Sequence, residues 1–310
     1  MKKVSTLSIA FAATLSLTIL NSIPLVLAQE TNPQTEAKPA EQTIYEKIDQ
    51  LTNTKGEYIE KEGVYKVSFL RSDIKPNIAG VKLTSAMGLS VWAGFKITGD
   101  NAMVMGDMVL LEDQVNPVLS VALEKGLLVT AIHNQFLWDS PRIMFMHIMG
   151  SGNTEKLAGA VGKVFDKIKE IEEAKGEKPY ADIDSANTTL DPKKIEDIIG
   201  VKGQMAGGVY KVTIGRTTSM DSQEIGSAMG VNTWAAFAGS DDKAVVDGDF
   251  VMLEQEVQPV LIALRAAGIN IVALHNHMIM ESPRMIFLHF WGTGSTANLA
   301  KGLKSALDLQ

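Results

Sequence analysis

The 310-residue chain contains no cysteine, which excludes disulfide scaffolds, zinc–thiolate sites, iron–sulfur clusters and cysteine nucleophiles together. Positive charge is also short: 29 Lys and Arg stand against 36 Asp and Glu, a formal charge of −7. No Lys/Arg-rich patch offsets that balance, so the cationic surface that neutralises a phosphate backbone is missing and nucleic acid is not an expected partner. Histidine is scarce, with five residues in all. No Ser–His–Asp order and no nucleophile elbow is present. What is there is an acidic chain, 45% hydrophobic, with enough apolar residues for one large core or two ordinary ones.

The N-terminus reads as an export signal. Lys2 and Lys3 precede an apolar run from Val4 to Leu27, and Val26-Leu27-Ala28 offers a cleavage site after Ala28. Ser5, Thr6, Ser8, Asn21, Ser22 and Pro24 interrupt the run, which argues against a permanent transmembrane anchor. The expectation is a periplasmic or secreted protein with no stable membrane anchor after cleavage. Residues 29–43 are rich in Pro, Thr, Glu and Gln without an apolar period, and read as a disordered tether.

The remainder is built twice. Ser85–Val161 aligns without a gap onto Ser227–Leu303 at an offset of 142, with 33 of 77 positions identical. Repeated motifs include SAMG at Ser85 and Ser227, Trp-Ala-x-Phe at Trp92 and Trp234, Gly-Asp at Gly106 and Gly248, His-Asn at His133 and His275, and Ser-Pro-Arg at Ser140 and Ser282. GVYKV at Gly63 recurs at Gly208, followed by Arg71 and Arg216 at an offset of 145. The domains are therefore placed at 44–170 and 193–310, with 171–192 as a linker.

Within the second copy, Val209–Ile214, Trp234–Ala238 and Ala244–Leu253 carry strand character. Pro259 opens a helix with an apolar stripe that Gly268 ends. Ile269–Ile279 and Met285–Trp291 read as a hairpin, and a helix closes the chain from Ala297 to Leu309. The order βββαββα predicts an α+β fold, a largely antiparallel sheet with two helices in each copy, and a pseudo-dimer of the two.

All five histidines fall in the two equivalent strand pairs: His133 and His147, then His275, His277 and His289. A turn centred on Pro283 places His277 directly across from His289, and His275 joins them because residues two apart on a strand share a face. Three imidazoles on one patch form a nitrogen site suited to a divalent ion, zinc first and copper second. The first copy has Gln135 in place of His277 and Gln114 in place of Glu256, so its His133 and His147 read as a degenerate pseudo-site or as core histidines. Glu256 is then the candidate fourth ligand or general base. Asp249, Asn276 and Arg284 are candidates for supporting the ligands or touching a substrate. Met144, Met146 and Met149 around His147 raise copper handling as a further reading.

The segment GDFVMLEQEVQPVLIALRAAGINIVALHNHMIMESPRMIFLHFWGTG resembles the bacterial LppY/LpqO family, with HNHM and LHFWG its most specific parts. The resemblance spans both copies and implies an exported protein, without implying an activity. Glu256, His275, Asn276, His277 and His289 fit its pattern, whereas Gln114 and Gln135 in the first copy depart from it, as does the missing lipobox cysteine.

Beside copper handling, two functions follow from the residues. One is an exported metal-binding protein, with hydrolysis through an ion-activated water if it is an enzyme. The other is a non-catalytic envelope protein that binds an unknown small molecule or partner, its histidines serving as core residues. The sequence leaves substrate and oligomeric state open.

Overall fold

The computed structural model describes residues 39–173 and 180–310. The expected leader (1–28), the tether up to residue 38 and linker residues 174–179 lie outside the described residues. The first copy contains α1 (Pro39–Thr52), β1 (Gly56–Ile59), β2 (Val64–Leu70), β3 (Ser90–Thr98), β4 (Asn101–Leu111), α2 (Glu112–Glu124), β5 (Leu128–Asn134), β6 (Ile143–Asn153) and α3 (Thr154–Glu173). The second repeats the series as α4 (Pro192–Ile199), β7 (Gln204–Ala206), β8 (Val209–Gly215), β9 (Asn232–Gly239), β10 (Ala244–Leu253), α5 (Val257–Ala266), β11 (Asn270–His275), β12 (Met285–Gly294) and α6 (Thr296–Leu307). The expected βββαββα unit is present in each copy, preceded by one helix and one edge strand that the apolar pattern did not reveal. α1 starts inside the stretch read as tether.

Local chemistry accounts for these elements. Alternation in β3 buries Val91, Ala93 and Phe95 and turns Trp92, Gly94 and Lys96 to the other face. α4 starts where the Asp191 side chain accepts the Lys193 N–H, with Pro192 in the first turn, and ends at Gly200, whose φ of 83° only glycine adopts freely. The buried sides of the strands and helices make one hydrophobic core under both copies, from Ile48 and Phe165 through Ile132 and Leu274 to Leu261 and Leu303.

These twelve strands join in one sheet, in the order β1-β2-β3-β4-β6-β5-β11-β12-β10-β9-β8-β7, while five short strands form two small separate sheets. The order reads the same from either end once equivalent strands are matched. At its centre β5 and β11 run antiparallel with Ile132 paired to Leu274, which are equivalent residues at the offset of 142, so the pseudo-twofold axis passes between them. Amide side chains lock this seam reciprocally. Asn116 donates to the Ile271 carbonyl at 3.0 Å and accepts its N–H at 2.8 Å. Its equivalent Gln258 makes the same pair of bonds to Val129 at 2.8 and 3.0 Å. Both clamped residues adjoin a β-bulge, where the backbone leaves ladder bonds unmade.

Helices cover one face of this sheet. On the other, in the second copy, Ile225, Val231, Val251, Met285 and Phe287 form a small separate core. The second-copy histidines adjoin it, since His275 pairs with Phe287. Among the described residues no helix is long and apolar enough to cross a membrane.

The candidate histidine–aspartate face

The expected hairpin register is not the one observed. β11 stops at His275, and His289 pairs with Ala273, four residues before His277. The reason is that residues 276–284 do not form a tight turn. The Asn276 amide donates to the Met278 carbonyl at 3.0 Å, Ser282 bridges to Ser219 of a neighbouring hairpin, and the Thr218 hydroxyl donates to the Pro283 carbonyl at 2.7 Å. A displacement by an even number of residues keeps every side chain on its face, so His275 and His289 still share the open side. His277, beyond the strand end, folds back over Phe287 with ring centres 3.5 Å apart.

The ring centres of His275 lie 4.6 Å from His289 and 5.1 Å from His277. Beneath them is Asp249, paired across strands with His289 and only 4% exposed. Its carboxylate lies 3.8 Å from His289 Nδ1 and 3.6 Å from His277 Nε2. Burial pushes the Asp249 carboxyl up to about 6, against the pull of His275 and of a backbone hydrogen bond at Leu288. Burial, followed by the charges of His275 and His289, pushes His277 below the ordinary imidazole range. His275 Nδ1 approaches the Asn276 carbonyl at 3.4 Å, while its Nε2 is buried without a hydrogen-bond partner, as is Asp249 Oδ1. No group of three His, Asp or Glu donors among the described residues is drawn to one metal-sized point.

The first copy repeats the arrangement with a different outcome. Asp107 pairs with His147, its Oδ1 3.7 Å from His147 Nδ1, and burial raises its carboxyl against the charges of His147 and His133. Here, however, the imidazoles satisfy each other: His133 Nε2 meets His147 Nε2 at 2.9 Å, and His133 Nδ1 meets the Asn134 carbonyl at 3.1 Å. Gln135 is exposed at the position of His277. The reading of these histidines as core residues is corrected, because none of the five is buried and the His147 side chain is 37% exposed.

Glu256 belongs to a different structure. Its carboxylate is gripped by both terminal nitrogens of Arg216 and accepts the Leu253 N–H at 2.8 Å, which fixes the start of α5. Gln114 does the same in the first copy, accepting from Arg71 at 3.1 and 3.2 Å and from Leu111 N–H at 2.9 Å. The difference between glutamine and glutamate tracks the arginine's charge partner. Arg71 has Asp73 two residues on, while Arg216 has Thr218 at that position. The placement of Glu256 as ligand or base is therefore corrected: it is a structural counter-ion. Glu256→Gln is expected to lower stability by about 2 kcal/mol in chemical unfolding while leaving metal uptake unchanged.

Asn276 holds the loop and orients His275 through its carbonyl, and Arg284 is an exposed residue of the loop before β12. The sequence reading understated the two aspartates. Their signal was the repeated Gly-Asp beside the repeated Trp-Ala-x-Phe, since Trp92 pairs with Asp107 and Trp234 with Asp249.

These features define a class: an internally duplicated α+β protein whose two halves share a sheet and expose a His–Asp group on either side of the pseudo-twofold axis. The chain belongs to the family described as Domain of Unknown Function (DUF1259), whose pattern it matches twice, over residues 46–167 and 193–309. No curated protein and no solved structure matches it.

Proposed function

We propose that this is an exported metal-binding protein, akin to the LppY/LpqO proteins, whose second copy holds one divalent ion through His275, His277 and His289. Zinc is the first candidate and Asp249 is the supporting carboxylate. The observation that carries the reading is the buried, unpartnered Nε2 of His275. With Nδ1 at a carbonyl, that nitrogen presents its lone pair inward, and an orphaned buried acceptor of this kind is costly unless something binds it. Spacing supports the same ligand set. Two imidazoles on one zinc, with N–Zn near 2.0–2.1 Å and tetrahedral angles, have ring centres about 5 Å apart. The observed 4.6 and 5.1 Å from His275 to the other two rings match that spacing.

A divalent ion here would supply Lewis acidity suited to hydrolysis. The chain's own contribution is to fix the rings: Asp249 at His289 Nδ1, the Asn276 carbonyl at His275 Nδ1, and Phe287 behind His277. Zinc titration with elemental analysis of the full chain tests this. About one equivalent is expected, with affinity falling more than tenfold in His289→Ala and in His277→Gln. Uptake unchanged in both variants would sink the proposal.

A further inference from the structure

The two copies differ in sulfur as well as in histidine. On β4 and β6 the register pairs Met105 with Met149 and, two residues along, Asp107 with His147. Residues two apart on a strand share a face, so both thioethers and the His147 ring line one strip of the open face. Directly opposed residues lie close enough for two methionine side chains to meet at one point. Met105 is 55% exposed, and Met103 beside it 48%. Hydrophobic burial therefore does not explain either residue.

At the same offset the second copy has Val245, Asp247 and Trp291 in place of Met103, Met105 and Met149, and no sulfur on that strip. The halves have diverged in opposite chemical directions. The second has a nitrogen donor at His277 and a further carboxylate at Asp247, while the first carries neutral thioethers around a pair of imidazoles. In a chain without cysteine, methionine is the only sulfur ligand. Of the methionines the sequence singles out, Met146 is fully buried and Met144 packs against the helix-side core, so only Met149 lies on this strip, with Met105 across the ladder from it.

We infer that the first copy holds a second site, in which Met105, Met149 and His147 bind a soft monovalent cation of the Cu(I) or Ag(I) kind. Thioether and imidazole donors favour such ions, whereas a zinc site is built from imidazole, carboxylate or thiolate. His133 is the positioning residue: its 2.9 Å contact occupies His147 Nε2, so Nδ1, 3.7 Å from the Asp107 carboxylate, is the nitrogen left to bind. This site shares no ligand with the divalent site and stands independently of it.

The test is titration of the full chain with Ag(I), a probe that needs no redox control, beside Zn(II). Wild type is expected to take up one tight Ag(I). The double variant Met105→Leu with Met149→Leu conserves volume at half-exposed positions and keeps the fold. It is expected to weaken Ag(I) tenfold or more with zinc unchanged, and His147→Gln to weaken Ag(I) likewise. Met146→Leu is the silent control, and His277→Gln should lose zinc while keeping Ag(I). Ag(I) affinity unchanged in the double variant overturns the site, and joint loss of both ions overturns its independence.

Discussion

Arg71→Leu is expected to cost about 3–5 kcal/mol of folding stability, measured as a fall in the midpoint of urea unfolding. Arg71 is fully buried. Its guanidinium binds Asp73 in bidentate fashion at 2.9 and 2.8 Å, donates to the Val109 carbonyl and reaches Gln114, which in turn holds the start of α2. Burial alone would raise the Asp73 carboxyl, but the hydrogen bonds and charge of Arg71 outweigh it and hold the carboxyl below the usual range. Leucine fills part of the volume but leaves Asp73, Gln114 and the Val109 carbonyl without their shared donor. The equivalent Arg216→Leu should cost less, because that side chain is 23% exposed and water can replace part of what is lost. Equal losses at the two arginines would contradict this account.

Gly248→Ala is expected to lower stability by about 3 kcal/mol and to weaken zinc uptake with it. A Cβ at this position would lie 2.3 Å from the Trp234 carbonyl oxygen and 2.2 Å from the Phe290 ring, so the β9 and β10 backbones would have to part. Asp249, the next residue, would move with them. Gly106→Ala makes the milder collision, 2.7 Å from the Trp92 carbonyl oxygen, and should cost about half as much. Calorimetric melting of the two variants checks the order, and a larger loss at Gly106 would refute the packing argument. Glycine before the aspartate thus has a steric reason in both copies: the neighbouring strand's backbone passes directly over it.

The duplication and the antiparallel α+β character were legible because they are written in identity and alternation. The shared face of His275 and His289 was legible for a subtler reason. Strand periodicity preserves parity, so the reading survived a displacement of four residues, though the direct pairing of His277 with His289 did not. That displacement was hidden because bulges at Ile271 and Val129, and the long excursion after Asn276, depend on side-chain bonds from distant segments. The roles of Glu256 and Gln114 were hidden for the same kind of reason. Only contact with Arg216 and Arg71, some forty residues upstream, shows that the exchange balances a charge. α1 escaped because its start lies in a Pro- and Glu-rich stretch whose composition argues for disorder, while its stability comes from packing against α3.

The seam at Ile132 and Leu274 is what two identical chains would make around a true twofold axis. A symmetric homodimer is bound to carry the same residue at both related positions, so any change in one site appears in the other. A single duplicated chain is free of that constraint, while the amide clamps of Asn116 and Gln258 hold the twofold-like contact together. Gln135 can then stand opposite His277, and Met105 opposite Asp247, without either half imposing its residue on the other. Fusion gave one gene two independently mutable copies of a site within a single rigid sheet.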